Sequence, residues 1–105
     1  DKNMNILIPV DNNDIDEAKI TLLDSVQCWM LIDFTKGKIL KSESYQAREE
    51  ITDWVDVIVV KNDKEYVWPF MEEGIAVLVA PTQMYVEDVL EAFLFKELHD
   101  LNINQ

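Results

Sequence analysis

Cysteine occurs once, as Cys28, in the 105 residues of the sequence. A disulfide within the chain is therefore excluded, and a reducing, cytoplasmic compartment is the expectation. Glycine occurs twice and proline three times, so there is neither a glycine-rich phosphate loop nor a flexible linker. His99 is the only histidine. It falls late in the last expected helix, and no serine or cysteine has a credible pairing with it, so no nucleophile–base couple can be assembled. Basic residues are scarce, nine against twenty-one acidic ones, for a formal net charge of −12. Such a surface repels phosphate backbones and anionic bilayers, so neither nucleic acid nor membrane is an expected partner. No apolar run approaches the ~20 residues that a bilayer-spanning helix needs, and the opening Asp1-Lys2-Asn3-Met4 does not have the pattern of a signal peptide.

What is present is the composition of one globular domain, residues 1–105, with 49% hydrophobic and 29% charged residues. Asn5 to Val10 is a nearly continuous β-favouring apolar run and predicts a buried strand. A polar loop begins at Asp11. Cys28 to Phe34 predicts a second strand, Gly37 the turn of a hairpin, and Lys38 to Ser42 its partner. Ser44 is placed to cap a helix through Asp53, with Ala47, Ile51, Trp54 and Val55 on one face. Asp56 to Val60 predicts a strand. Pro69 limits the next helix to about Pro69 to Glu73, stopped by Gly74. Ile75 to Ala80 predicts the last strand. A helix from about Tyr85 to Leu98 follows, with Val86, Val89, Leu90, Phe93 and Leu94 as its apolar stripe. The order β-β-β-α-β-α-β-α implies an α/β fold, a mixed five-stranded sheet with helices on both faces. Ligands of such sheets lie beyond the carboxyl ends of the parallel strands, here the loops at Asp11, Lys61 and Pro81.

Several constellations bear on chemistry. Asp11, Asp33 and Asp56 stand at strand ends, where carboxylates could hold magnesium for a nuclease, but Asp56 stands at a strand entrance and the other two at exits. The acidic stretch Asn12 to Glu17 lacks the glycine and closing glutamate of an EF-hand, so a solvated loop is expected. Cys28 opens an apolar strand and is expected to behave as a small buried hydrophobe, with a soft-metal role as the alternative. Trp29, Trp54, Trp68, Phe70 and Phe93 are expected in the core. Phe95 projects away from the apolar stripe and is a candidate anchor for a partner or homodimer.

In order and spacing, several segments resemble the dinitrogenase iron–molybdenum cofactor biosynthesis family. The opening Asn5-Ile6-Leu7-Ile8-Pro9-Val10-Asp11 is similar to its first strand, and Trp29-Met30-Leu31-Ile32-Asp33 to its second. Val55-Asp56-Val57-Ile58-Val59 and Gly74-Ile75-Ala76-Val77 are similar to its later strands, and Val86 to Phe93 to its last helix. The resemblance covers about residues 4–98. It implies a ribonuclease H-like fold without nuclease chemistry, and the binding or carriage of a metal–sulfur cluster, either iron–sulfur or molybdenum-containing. The chain departs from the family where ligands are expected. A His-Phe-Gly-Arg segment is replaced by Leu22-Leu23-Asp24-Ser25, a Gly-Gly-Ile-Gly turn by Lys61-Asn62-Asp63-Lys64, and a glycine-rich loop by Pro81-Thr82-Gln83-Met84. Side chains there obstruct the close backbone approach that glycine permits.

Two functions follow, neither enzymatic. The first is an accessory or carrier domain with a degenerate cluster site, for which Asp11, Cys28 and Met84 are the remaining candidate residues. The alternative is a cluster-free interaction or regulatory module, with Phe95, Trp68 and Phe70 as candidate partner contacts. A bound cluster and none at all are equally consistent with the sequence.

Overall fold

The apolar run near the start of the chain becomes the middle of the protein. In the computed structural model, which describes residues 4–62 and 64–100, strand β1 (Met4–Val10) lies between two partners of opposite sense. It pairs antiparallel with β2 (Cys28–Thr35) and parallel with β4 (Val57–Val60). A strand flanked on both sides and covered on both faces reads as a near-continuous apolar run, and Ile6, Leu7, Ile8 and Val10 are all fully buried. Each contributes about 1.5–3 kcal/mol by leaving water. Outside β2 lies β3 (Lys38–Tyr45); beyond β4 come β5 (Ala76–Val79) and β6 (His99–Asp100). The sheet order is β3-β2-β1-β4-β5-β6, with β4 and β5 parallel and β6 antiparallel to β5.

Alternation along the strands divides the core in two. Ile6, Ile8, Met30, Ile32, Val57 and Val59 face helix α2 (Val86–Leu94), which contributes Val86, Val89 and Leu90. Leu7, Leu31, Ile58, Val60 and Val77 face the other way, towards Ile51, Val55 and Phe70 of helix α1 (Trp68–Glu72). Helices therefore cover both faces, as the sequence predicts.

Two expectations fail. The helix expected from Ser44 to Asp53 is absent. Strand β3 runs on to Tyr45, paired as far as Trp29, and only one 3₁₀ turn forms at Arg48–Glu50. The long ladder that β2 offers overrides the helical spacing of Ala47, Ile51, Trp54 and Val55; of these, Ile51 and Val55 enter the core while Trp54 is 69% exposed. The sheet also has a sixth strand, because the last helix ends at Leu94 instead of Leu98 and the chain returns to pair His99 with Val79.

The two helices stop by the same device with different residues. In each, crossed backbone bonds close the last turn around a residue with left-handed φ. After α1 these bonds are Gly74 N–H to Met71 O at 3.0 Å and Ile75 N–H to Phe70 O at 3.0 Å, around Gly74 at φ 83°. After α2 they are Lys96 N–H to Phe93 O at 3.1 Å and Glu97 N–H to Ala92 O at 2.8 Å, around Lys96 at φ 60°. A lysine held there costs about 1–2 kcal/mol that a glycine avoids. The β2–β3 hairpin turns at Lys36 and Gly37, both with positive φ, the arrangement that matches strand twist in a two-residue turn.

Just past that turn the β2–β3 register shifts. Phe34 pairs with Ile39 and Asp33 with Lys41, so Leu40 is supernumerary. A bulge of this kind reverses the alternation beyond it. Ile39, opposite Phe34, stands on the α2 side of the sheet, and Lys41, opposite Asp33, falls on the α1 side.

Candidate functional site

The carboxyl ends of the parallel strands β1, β4 and β5 open onto one set of loops, and side chains of the protein hold these loops closed. Asp11 accepts hydrogen bonds on Oδ1 from the Lys19 N–H at 3.0 Å and from Asn12 Nδ2 at 2.9 Å. Asn12 Oδ1 accepts from the Asp14 N–H at 2.8 Å, and Asp14 Oδ1 from the Asp16 N–H at 3.0 Å. The side chains of Asp11, Asn12 and Asp14 thus serve the backbone turns of their own stretch. The Ile20 N–H donates to the Met84 carbonyl at 2.7 Å, and Lys19 bridges to Tyr85, which zips the loop after β1 to the loop after β5. Glu65 does the same for the loop after β4: its two carboxylate oxygens accept from the backbone N–H groups of Lys61 and Asn62, each at 2.9 Å, and from that of Leu23.

Asp11, Cys28 and Met84 all lie at this end, in unlike settings. Cys28 sits opposite Val10 in the ladder, is 9% exposed and belongs to the α2-side core. Met84 is exposed and Asp11 is engaged as above. Among the described residues, no three His, Cys, Asp or Glu side chains gather where they could hold a metal ion.

Asp33 and Asp56 lie at the far end of the sheet from Asp11. Because β2 is antiparallel to β1, the exit of β2 coincides with the entrances of β1 and β4. Asn5 is opposite Asp33, and its N–H donates to Asp56 Oδ2 at 2.9 Å. Asp11 stands a strand length away, roughly 20 Å. The three carboxylates that a magnesium nuclease would need are therefore not assembled.

A polar cleft occupies that far end on the α1 side, with a volume of about 230 Å³ and a lining that includes Asn5, Asp33, Lys41, Glu43 and Asp53. Lys41 Nζ lies 3.1 Å from Glu43 Oε2, and Glu43 Oε1 accepts from the Tyr45 hydroxyl at 2.5 Å. The hydrogen bond from Tyr45, followed by that from Lys41, holds the Glu43 carboxyl below its ordinary value. The bond to Glu43 raises Lys41 and pushes Tyr45 up to about 12. The sequence hides this cleft, because the helical spacing after Ser44 masks Tyr45 as a strand residue; with β3 extended to Tyr45, alternation puts Lys41, Glu43 and Tyr45 on one face.

The third feature is an open groove between α2 and the β2–β3 hairpin. Its volume is about 600 Å³, and Phe34, Ile39, Leu90, Leu94 and Phe95 line it together with Glu87, Asp88 and Glu91. Phe34 is buried and meets Phe93 edge-on, ring centroids 6.0 Å apart. Phe95 is 61% exposed, in keeping with its position off the stripe. Leu94, expected in the stripe, is 45% exposed instead, since the helix ends there. Of the other aromatic residues, Trp29 and Phe70 are buried together, with ring centroids 6.2 Å apart, whereas Trp54 and Trp68 are exposed against the core expectation. Phe70 thus offers no free surface to a partner; Trp68 does.

No family model matches the sequence, nor does any curated protein. Solved structures do match. The crystal structure of a candidate dinitrogenase from Methanocaldococcus jannaschii superposes with a TM-score of 0.73 at 14% identity, covering 95% of this chain and 96% of that one. An NMR structure of the same candidate dinitrogenase gives 0.74 at 17% identity, covering 98% and 96%. The NMR structure of a candidate NifB protein from Thermotoga, of the DUF35 family, gives 0.73 at 12% identity, covering 97% of each chain. This chain shares their fold. Identities this low extend the likeness to architecture and no further. Among the described residues, no helix is long and apolar enough to cross a membrane.

Proposed function

We propose that this domain is a non-catalytic accessory module on a dinitrogenase- and NifB-like scaffold, and that it works through protein contacts without carrying a metal–sulfur cluster. The observation that supports this reading is the state of the carboxyl-end loops. A cluster needs several soft donors around one open space. Here Cys28 is packed into the core, Met84 is exposed, and Asp11 and Glu65 are spent on backbone N–H groups. The residues present do not fit a cluster.

A cluster carrier is the competing function, supported by the shared fold alone. Metal and acid-labile sulfide content of protein purified anaerobically, with its absorption spectrum, separates the two. We expect substoichiometric iron and molybdenum, no charge-transfer bands, and no change in Cys28→Ser. Stoichiometric metal with sulfide, lost in Cys28→Ser, would make the domain a carrier.

A further inference from the structure

We propose that the groove between α2 and the β2–β3 hairpin is a docking site for a basic, amphipathic segment of a partner protein. The proposal rests on the interaction reading above and names the surface and the chemistry of what it takes.

The groove has an apolar floor and an acidic wall. Ile39, Leu94 and Phe95 are 44%, 45% and 61% exposed around the buried Phe34, and Glu87, Asp88 and Glu91 line the same space. Apolar side chains grouped in one concavity, unlike single exposed leucines, mark a contact surface. Two structural accidents expose them together. The two-residue turn pairs Ile39 with the core residue Phe34 and so puts it on the α2 side, and the left-handed Lys96 ends the helix so that Leu94 and Phe95 fall in its last turn. The turn fixes the other wall: a Cβ on Gly37 would come within 3.2 Å of Leu94 Cδ2, so the hairpin tip already touches the helix and leaves the concavity above it open.

The charge decides the occupant. Glu87 and Asp88 have a local role in the first turn of α2, but Glu91 does not, and the residues lining the groove include no basic side chain. A second copy of a chain with net charge −12 would bring like charge to that wall, which is unfavourable. A segment with leucine or phenylalanine anchors and flanking lysine or arginine satisfies floor and wall together, the helix-in-groove mode of recognition.

The test uses two synthetic amphipathic peptides of equal length and apolar content, one built from leucine and lysine and one from leucine and glutamate. Each is titrated into the isotopically labelled full chain and followed by amide NMR shifts. We expect the lysine peptide to bind, with shifts centred on Phe34, Gly37, Ile39 and Leu90 to Phe95, weakening as salt is added. Phe95→Ser and Glu91→Lys should each weaken it about tenfold or more, as loss of an anchor or a paired wall charge does, with the thermal midpoint unchanged. Equal binding of the glutamate peptide, or insensitivity to both substitutions, would overturn the proposal. Shifts centred on Tyr66 and Trp68 would overturn the groove while leaving an interaction module in place. A dimer in sedimentation that Phe95→Ser dissolves would assign the groove to a second copy and overturn the basic partner.

Discussion

The loops at the carboxyl ends of β1, β4 and β5 and the groove beside α2 differ in who satisfies them. In the loops, the protein is its own ligand: Asp11 and Glu65 occupy the backbone donors that an anion or cluster would otherwise meet. In the groove, apolar side chains and carboxylates face open space. At the strand ends, where such a sheet topology places ligands, these backbone donors are taken by the chain's own carboxylates, and the open apolar and acidic surface lies beside the last helix. Topology shows where a site can form; the accounting of donors and acceptors shows whether it still exists.

The sharpest way to break this comparison is Glu65→Ala. It strips an acceptor from three backbone N–H groups at once, and we expect a loss of about 2–3 kcal/mol in chemical denaturation. A loss below about 0.5 kcal/mol, the level of an ordinary surface change, would mean that the loops are not braced by Glu65 and are open to another ligand.

The helix ends give a smaller, paired effect. Lys96→Gly should stabilise by about 1 kcal/mol, and Gly74→Ala should destabilise by a similar amount. An added Cβ at Gly74 meets nothing within 4 Å, so that cost is one of backbone conformation alone. Thermal melts of both variants test it, and equal signs would show that the two stops are not equivalent.

The smallest effect concerns the far-end cleft and is read by titration. One of the three tyrosines should ionise near 12, because Tyr45 is bonded to Glu43, and Glu43→Gln should return it toward 10. A folded value above the unfolded one means that this contact contributes stability fully below about pH 10 and loses it as pH rises through about 12. Glu43 has the opposite sign: its lowered value gives stability present above its ordinary value and lost as pH falls through the shifted one.

Much of this architecture is legible in the sequence. The continuous apolar run of β1, the positive-φ glycine of the hairpin, Pro69 at the start of α1 and Gly74 at its end are local signals, and each marks its element. Phe95 likewise betrays its exposure by its angle on the helix. What is not legible depends on partners distant in sequence. Nothing near Ser44 says that β2 extends far enough to hold it in a strand. The bulge that sets Lys41 on the opposite face from Ile39 exists only in the register with Phe34 and Asp33. Glu65 is one acidic residue among many until the loops containing Leu23 and Lys61 are brought to it. The exposure of Trp54 and Trp68 has a different origin: size and apolarity argue for burial, but a small domain has limited interior to offer.

The mixed neighbourhood of β1 also has a consequence in time. Its antiparallel seam with β2 joins near neighbours in the chain, but its parallel seam with β4 brings together Asn5 and Asp56, 51 positions apart. Closing a longer loop costs little in equilibrium stability, about 0.6 kcal/mol for each doubling of length, yet such distant pairings slow the search. Until β4 arrives, this largely apolar strand has a bare edge, the kind of transient surface through which unfinished chains adhere to one another. The charge of −12 belongs to the unfolded chain as much as to the folded one. Mutual repulsion can therefore keep half-folded copies apart during the interval in which the fold itself cannot protect them.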